Sequence, residues 1–328
     1  MTERIVRNPL AGPVDLGPPP AGPLAFHRTL PGYAPTPLVE APAAAAALGV
    51  RRVMVKDESS RLGLPSFKVL GASWAIHRAL QARPDTRTLA CATDGNHGRA
   101  VARMARLLGL EATVLVPASM LAARREAIAA EGARVEVVDG TYDDAVERAA
   151  QLDALVIQDT AWPGYETVPA WVVEGYSTIG AEIDLQPDVV GVQIGVGSFA
   201  AAMVRRFAGA RIVGVEPVSA ACALASIEAG EPAEVPGPHD SVMAGLNCGR
   251  VSPVGWPAVS RGIEAFCAIG DDRAREAVAL LARDRITAGE SGAAGLAGLL
   301  AFRDELALPA DGTVLVVNTE GDTAKEDT

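Results

Sequence analysis

The sequence predicts an α/β protein with parallel β-sheets whose two faces are covered by helices. Short runs of apolar residues, many of them β-branched, alternate with alanine-rich stretches of helical length almost from end to end. The apolar runs are continuous and do not alternate with polar residues, which is typical of strands buried on both faces of a sheet. Glycine-rich and polar motifs directly follow several runs, and ligands of open α/β sheets bind at these carboxyl ends of strands.

The predicted strands and helices follow each other along the chain. The strands are the apolar runs Arg52–Lys56, Thr88–Ala92, Thr113–Val116, Arg134–Val138, Leu155–Gln158, Val189–Ile194, Ile212–Val215, Ala265–Ile269 and Thr313–Val317. Helical stretches lie between them, such as Gly98–Leu108, Leu121–Glu131, Tyr142–Gln151, Ser198–Phe207, Asp272–Arg285 and Gly292–Leu306. This alternation indicates parallel strands joined by crossover helices. It separates into one block from about residue 66 to 165 and another from about residue 189 onward.

Two segments rich in proline and glycine interrupt the alternation. Residues 9–42 predict an arm that lies over the surface or over a partner subunit. Residues 230–255 predict a lid or loop beside a site, because long irregular connections often carry function.

Composition and charge limit the partners that the protein can have. Of its 328 residues, 49% are hydrophobic and 21% are charged, so a sizeable core can form. There are 29 Lys and Arg residues against 40 Asp and Glu residues, which gives a formal net charge of −11. The sequence has no basic run and no basic aromatic stripe, which argues against nucleic acid and anionic membrane as partners.

Several absences in the sequence predict a cytoplasmic protein without a metal site. The four cysteines have no CxxC or zinc spacing and lie in or beside apolar runs, which predicts buried free thiols in a reducing compartment. Residues 1–22 lack the apolar segment of a signal peptide, and no apolar stretch is long enough to span a bilayer. The four histidines have no metal-ligand spacing.

Lys68 is a candidate Schiff-base lysine. Lysine occurs only at Lys56, Lys68 and Lys325 in this arginine-rich chain. Lys68 stands among apolar residues at the start of a predicted helix, where arginine would serve if only positive charge were needed. Unlike arginine, a desolvated lysine can lose its proton and act as a nucleophilic amine. The alternative is a boundary lysine whose stem covers apolar surface while its amine reaches water.

The motif Thr93-Asp94-Gly95-Asn96-His97-Gly98 directly follows a predicted strand and leads into a helix. A glycine-rich turn at this place directs backbone N–H groups and the positive end of the helix dipole outward, which suits a carboxylate or a phosphate. N-capping by Asp94 or Asn96 would explain one polar residue but not the density of polar and glycine positions. The motif therefore predicts a ligand-binding loop.

The motif Gly195-Val196-Gly197-Ser198 also lies between a predicted strand and a helix. Its backbone amides can bind a phosphate, and the Ser198 hydroxyl can add a donor. With Ala200, and with Glu216 about 20 residues on, it also imitates the G-x-G-x-x-A fingerprint of dinucleotide-binding proteins. A plain tight turn between strand and helix is the third interpretation.

Two further polar motifs follow predicted strands. Gln158-Asp159-Thr160-Ala161-Trp162 puts a carboxylate where it could face a crevice, and Asn318-Thr319-Glu320-Gly321-Asp322-Thr323 follows the last strand. Ordinary loop polarity explains either motif equally well when it is taken alone.

Taken together, these motifs resemble those of the pyridoxal-phosphate enzymes of fold type II, the tryptophan synthase β-like family, and most closely its diaminopropionate ammonia-lyase subgroup. The most specific elements are Lys56-Asp57-Glu58-Ser59 followed by Phe67-Lys68, the Thr93–Gly98 loop, and Gln158–Trp162. Dehydratase and sulfhydrylase relatives usually carry serine at the position of Asp94. The resemblance implies a homodimer of two-domain subunits, each domain with three layers. The larger domain, residues 1–61 and 170–328, would bind the cofactor phosphate, and the smaller, residues 62–169, would carry Lys68 and the substrate loop.

The resemblance also implies roles for single residues. Lys68 would hold pyridoxal 5'-phosphate as a Schiff base, and Asn96 would contact the hydroxyl group of its ring. Thr319, or else Asn318, would lie near the ring nitrogen, unless a carboxylate of Glu320 or Asp322 takes that place. The phosphate would be bound by Gly195, Val196, Gly197 and Ser198, and the substrate by Thr93, Asp94, Gly95 and His97.

The implied reaction is elimination of the β-amino group of 2,3-diaminopropionate to give pyruvate and ammonia. Lys68 would remove the α-proton from one face and Asp94 from the opposite face, while Asp159 would hold the β-ammonium. A carboxylate at position 94 would repel the substrate carboxylate unless it is neutral or paired. A serine/threonine dehydratase and a β-replacement enzyme are alternatives that use the same cofactor. An NAD-dependent dehydrogenase is a remote alternative that leaves Lys68 and Thr93–Gly98 unexplained.

Overall fold

A computed structural model describes residues 2–93 and 95–321 of the protein. Its strands are β1 (Arg4–Arg7), β2 (Leu38–Glu40), β3 (Arg52–Asp57), β4 (Thr88–Ala92), β5 (Glu111–Pro117), β6 (Arg134–Val138), β7 (Leu155–Val156), β8 (Val189–Gln193), β9 (Arg211–Pro217), β10 (Ala265–Ile269) and β11 (Thr313–Asn318). Its helices are α1 (Gly22–His27), α2 (Pro42–Leu48), α3 (Lys68–Ala82), α4 (Asn96–Leu108), α5 (Ala122–Ala130), α6 (Tyr142–Ala150), α7 (Thr167–Ala181), α8 (Ser198–Arg206), α9 (Cys222–Ala229), α10 (Trp256–Gly262), α11 (Asp271–Arg283), α12 (Glu290–Ala301) and α13 (Arg303–Leu306). Within these ranges, no helix is both long and apolar enough to cross a membrane.

Two sheets organise the described part of the chain. The larger has seven strands in the order β1-β10-β9-β8-β11-β3-β2, and the smaller has four in the order β6-β5-β4-β7. Neighbouring strands are parallel except at the two edges of the larger sheet. There β1 pairs antiparallel with β10, and β2 pairs antiparallel with β3. The predicted α/β class with parallel sheets is therefore confirmed.

Helices cover both faces of each sheet. In the larger sheet, Val189 of β8 packs with α2, α11 and α12, whereas its neighbour Val190 packs with α7, α8, α9 and α10 on the opposite face. In the smaller sheet, Leu115 of β5 packs against Ala145 of α6, and Val114 packs with α3, α4 and α5. Since successive side chains of a strand point to opposite faces, a strand between two helical layers must be apolar throughout.

The strands of the larger sheet come from residues 4–57 and 189–318, and those of the smaller sheet come from residues 88–156. The domain boundaries, with residues 1–61 and 170–328 in one domain and residues 62–169 in the other, stay a prediction.

The proline-rich N-terminal arm packs against its own chain. Strand β1 extends the larger sheet, and α1 contacts α3 and α7. His27 at the end of α1 is fully buried, and its ring nitrogens lie 2.7 Å from the Thr178 hydroxyl and 3.0 Å from the Leu70 carbonyl oxygen. Leu70 follows Lys68 by two residues, so the arm supports the first turn of the helix that begins at this lysine.

A buried network of charges joins β3 to α7, and we refer to Lys56, Glu58, Arg61 and Glu182 as the buried tetrad. Lys56 Nζ lies 2.6 Å from Glu182 Oε2, and Arg61 contacts Glu58 at 2.6 Å and Glu182 at 2.8 Å. The Thr36 hydroxyl donates to Glu58 Oε1 at 2.6 Å. The two positive charges balance the two negative ones, so Lys56 and Glu58 of the Lys56–Ser59 motif have a structural role.

The differences from the predicted elements have local causes. The predicted strand Leu155–Gln158 ends at Val156, because the Gln158 side chain, and not its backbone, pairs with the backbone of Ala92. The predicted helix Gly292–Leu306 is divided at Phe302 into α12 and α13. The cysteines are free, as predicted, with Cys248 only partly buried.

Candidate active site

Residues from the motifs that follow the strands line one cavity. It lies where the carboxyl ends of β4 and β7 of the smaller sheet face those of β8 and β11 of the larger sheet. The predicted site residues that line it are Lys68, Thr93, Gly95, Asn96, His97, Asp159, Gly195, Val196, Gly197, Ser198 and Thr319. Asp94 lies outside the described residues, and its role stays a prediction.

Lys68 and Asp159 form an ion pair inside this cavity. Helix α3 begins at Lys68, and the Lys68 Nζ lies 2.8 Å from Asp159 Oδ2. Burial alone would lower the pKa of Lys68, but the Asp159 carboxylate outweighs burial and raises the pKa above its ordinary value. Burial would likewise raise the pKa of Asp159, yet the Lys68 ammonium outweighs it and lowers the pKa to about 2. The pair is therefore ionised, with the proton on the amine.

His97 packs beside this ion pair as a neutral imidazole. Its Nε2 lies 2.8 Å from the carbonyl oxygen of Ile157, which can only accept, so this nitrogen carries the hydrogen. Burial lowers the pKa of His97. Its Nδ1 lies 3.9 Å from Asp159 Oδ2 and has no hydrogen-bond partner among the described residues. The structure therefore places His97 against Asp159, at the back of the predicted substrate loop.

The Thr93–Gly98 loop is held by the side chain of its first residue. The Thr93 Oγ1 accepts hydrogen bonds from the backbone N–H groups of Gly95 at 2.9 Å and Gly98 at 3.1 Å. Two amides that the sequence predicted to point outward are thus used inside the loop. Gly95 has a φ of +149°, and a Cβ on Gly98 would lie 2.4 Å from Thr93 Cγ2, so both glycines are required by the local geometry.

The Gly195–Ser198 turn has the features of a phosphate-binding cradle. Gly197 has a φ of +92°, in the left-handed region, and α8 begins at the next residue. A Cβ on Gly195 would lie 3.0 Å from the carbonyl oxygen of Gly245. The glycines and the first amides of α8 suit a phosphate. The Ser198 hydroxyl donates to the backbone carbonyl of Asp159 at 3.0 Å, and its role toward a phosphate stays a prediction.

The residues after β11 form the opposite wall of the cavity. Thr319 and Glu320 line it, and Asn96 Nδ2 donates to Glu320 Oε2 at 2.7 Å across the cavity. Asn318, the predicted alternative to Thr319, is turned elsewhere, because its amide donates to Asp57 at 2.8 Å and to the Thr287 carbonyl at 2.9 Å. Asp322 lies outside the described residues.

The sequence did not predict several residues that line the cavity. Gln193 donates from Nε2 to Thr319 Oγ1 at 2.8 Å and so fixes that hydroxyl. A polar residue at the end of the apolar strand β8 is a signal that could have identified it. Ser291, Tyr142 and Arg124 also line the cavity. They lie in α12, α6 and α5, outside the strand-end motifs, and no local pattern marks them.

The chain is similar to known pyridoxal-phosphate enzymes over nearly its whole length. Residues 29–320 match the family model of pyridoxal-phosphate dependent enzymes. The diaminopropionate ammonia-lyase of Escherichia coli (strain K12) is 35% identical over 346 residues, which cover 91% of this chain and 87% of the relative. Crystal structures of the Escherichia coli enzyme, in complex with an aminoacrylate-PLP azomethine reaction intermediate and with D-serine, match with a TM-score of 0.92 and 32% identity, and cover 99% of this chain and 95% of theirs.

These matches confirm the predicted fold type II and pyridoxal phosphate as the cofactor. The matched family uses pyridoxal phosphate, so the dehydrogenase interpretation has no support. The homodimer and the cytoplasmic location stay predictions. The chain belongs to the family of pyridoxal-phosphate-dependent enzymes and, within it, to the diaminopropionate ammonia-lyases.

Proposed function

We propose that the protein is a lyase that converts 2,3-diaminopropionate and water into pyruvate and two molecules of ammonia. The observation that carries this proposal is the Lys68–Asp159 ion pair, with its Nζ–Oδ2 distance of 2.8 Å. It puts an amine that can exchange protons beside a carboxylate that binds ammonium groups, in the cavity that the glycine cradle also lines. We extend the proposal to the D enantiomer of the substrate.

Four groups of residues would hold the cofactor. Lys68 would bind it covalently, the Gly195–Ser198 turn would bind its phosphate, and Asn96 and Thr319 would contact its ring. When bound, pyridoxal phosphate withdraws electrons from the α-carbon of the attached amino acid and so acidifies the α-proton. Asn96 Nδ2 donates one hydrogen to Glu320 at 2.7 Å, and its second hydrogen is available to the ring hydroxyl.

Lys68 is the base that removes the α-proton in this proposal. A neutral Nζ that accepts a proton becomes the ammonium that Asp159 already stabilises at 2.8 Å. The same carboxylate therefore increases the proton affinity of the base. The β-ammonium group then leaves as neutral ammonia without a further proton, whereas a neutral β-amino group would take one from the protonated Nζ.

Asp159 would also select the substrate. As an ionised carboxylate it can pair with a β-ammonium group more strongly than with the hydroxyl group of serine. Asp94 would act as the base on the opposite face, which is the role that acceptance of a D substrate requires. His97 would keep Asp159 in place as a neutral, buried contact.

Pyruvate release by the purified holoenzyme tests the proposal. With the diamino acid we expect two equivalents of ammonia per pyruvate and a kcat/KM that is higher than with serine or threonine. A higher kcat/KM with serine or threonine would instead identify a dehydratase of the same cofactor class. A preparation whose spectrum with added cofactor is that of the free cofactor alone would contradict the proposal as a whole.

A further inference from the structure

Arg124 stands apart among the cations that line the cavity. Lys68 is paired with Asp159 at 2.8 Å, and Arg99 lies 3.5 Å from Glu131. Arg124 makes no hydrogen bond and no ion pair with any residue in the described ranges 2–93 and 95–321, although it lines the cavity and is partly buried. Its guanidinium has five N–H donors that can bind an anion.

Arg124 lines both the cavity and a wider cleft beside it. It is the third residue of α5 and faces the cavity together with Ala127 and Ile128 of the same helix. The Arg124 Cδ lies 3.7 Å from the place of a Cβ on Gly95, so its aliphatic stem passes over the substrate loop.

The charges around Arg124 leave its own charge available to an incoming anion. Asp159 is neutralised by Lys68 in this structure, and in the proposed function it would be neutralised by the β-ammonium of the substrate. Glu320, on the opposite wall, already accepts a hydrogen bond from Asn96. Burial raises the pKa of Glu320, although the Ser291 hydrogen bond and the positive charge of Arg124 act to lower it. Among the described residues, the cavity therefore contains one cation, on the side of the substrate loop, that has no directly bonded anion.

A 2,3-diamino acid has two amino groups and one carboxylate. In the proposed function its α-amino group is used by the cofactor and its β-ammonium by Asp159, which leaves the carboxylate to be bound. The loop that suits a carboxylate carries Asp94 in its sequence, and an acidic residue there would repel the substrate carboxylate unless a positive charge opposes it. We propose that Arg124 binds the α-carboxylate of the substrate and is the residue that distinguishes amino acids from simple amines. This inference rests on the proposed function.

A pair of unreactive ligands tests the inference separately from catalysis. L-Alanine and ethylamine have no β-leaving group and differ only in the carboxylate, and both change the visible spectrum when they react with the bound cofactor. The dissociation constants of both are measured spectroscopically for the wild-type holoenzyme, R124M and R124K. We expect R124M to weaken alanine binding by about tenfold or more, to leave ethylamine binding within twofold, and we expect R124K to recover part of the loss.

A control variant separates the charge of Arg124 from the stability of its helix. Arg125 is the next residue of α5 and lines neither cavity, so R125M should behave as wild type with both ligands. With diaminopropionate, R124M should raise KM while kcat changes less than threefold. Equal losses for alanine and ethylamine, or no loss for alanine, would overturn the role of Arg124 while elimination by the wild type still stands. A wild-type holoenzyme that responds to neither ligand would overturn both proposals.

Discussion

His27 of the N-terminal arm lies 3.0 Å from the carbonyl oxygen of Leu70 in the first turn of the helix that starts at Lys68. The Leu70 carbonyl can only accept, so Nε2 carries the hydrogen and Nδ1 accepts from the Thr178 hydroxyl. A protonated His27 could not accept this second bond. Burial lowers the pKa of His27 to about 4, so the folded protein requires the neutral ring.

The first prediction concerns the stability of the protein in acid. A histidine with a pKa near 6.5 unfolded and about 4 folded contributes stability that is complete above pH 6.5 and is lost as the pH falls toward 4. Between pH 7 and pH 5 the contribution of His27 should fall by about 2 kcal/mol. The free energy of unfolding of wild type and H27Q, measured by denaturation at both pH values, checks this. Glutamine can make both bonds without titrating, so equal pH dependence of the two proteins would contradict the prediction.

The second prediction concerns the covalent bond to the cofactor. K68A should lose the visible absorption band of the lysine–cofactor Schiff base, and elimination should fall by on the order of 10³-fold or more, because both the base and the attachment are removed. Absorption spectra and pyruvate assays of K68A and K68R test this. Arginine keeps the charge beside Asp159 but cannot form the bond, so a band in either variant would refute the role of Lys68.

The third prediction concerns substrate selection by Asp159. D159N keeps the shape of the side chain but removes the charge that pairs with an ammonium group. We expect kcat/KM for diaminopropionate to fall on the order of 10- to 100-fold more than kcat/KM for serine. Parallel steady-state assays with both substrates give this ratio. If the ratio does not change, Asp159 pairs only with the Lys68 amine and another residue holds the β-ammonium.

The fourth prediction concerns the phosphate cradle. Alanine at Gly197 would have to adopt a φ of +92°, and its Cβ would meet Val259 at 3.2 Å and Val251 at 3.3 Å. We expect G197A to raise the dissociation constant of the cofactor by about tenfold, because backbone strain of this kind costs on the order of 1–3 kcal/mol. G209A is the matched control, since a Cβ on Gly209 meets nothing within 4 Å. Fluorescence titration of both apoproteins with cofactor measures the difference.

The fifth prediction concerns Asp94. In D94N the base proposed for the opposite face is absent, so turnover of D-2,3-diaminopropionate should fall at least tenfold more than turnover of the L enantiomer. The ratio of diaminopropionate to serine turnover should fall as well. Chiral substrates and a coupled pyruvate assay give both ratios, and unchanged values would remove Asp94 from the mechanism.

The strand-end motifs were accessible to sequence reasoning because parallel strands bring their carboxyl ends together. Lys68, the Thr93–Gly98 loop, Asp159 and the Gly195–Ser198 turn are far apart in the chain, yet each directly follows a strand or begins a helix. Local composition is enough to identify such positions.

Other parts of the site depend on packing that no local pattern encodes. Arg124 lies in an alanine-rich helix with two adjacent arginines, and only the position of Gly95 shows which of them faces the cavity. The edge strand β1 acquires its structure from pairing with β10, more than 250 residues away in the chain. Helix α7 is apolar on nearly all sides and so lacks the period that marks a surface helix.

The buried tetrad has a consequence for how this sequence can diverge. Loss of any one of Lys56, Glu58, Arg61 or Glu182 leaves an opposite charge unneutralised in the interior, which typically costs about 3–5 kcal/mol. A lineage that replaces one of these residues must therefore tolerate an unstable intermediate or alter a second residue almost at once. Among descendants of a common ancestor, we expect these four positions to change together. Where neutral side chains appear, they should replace one positive and one negative residue at the same time.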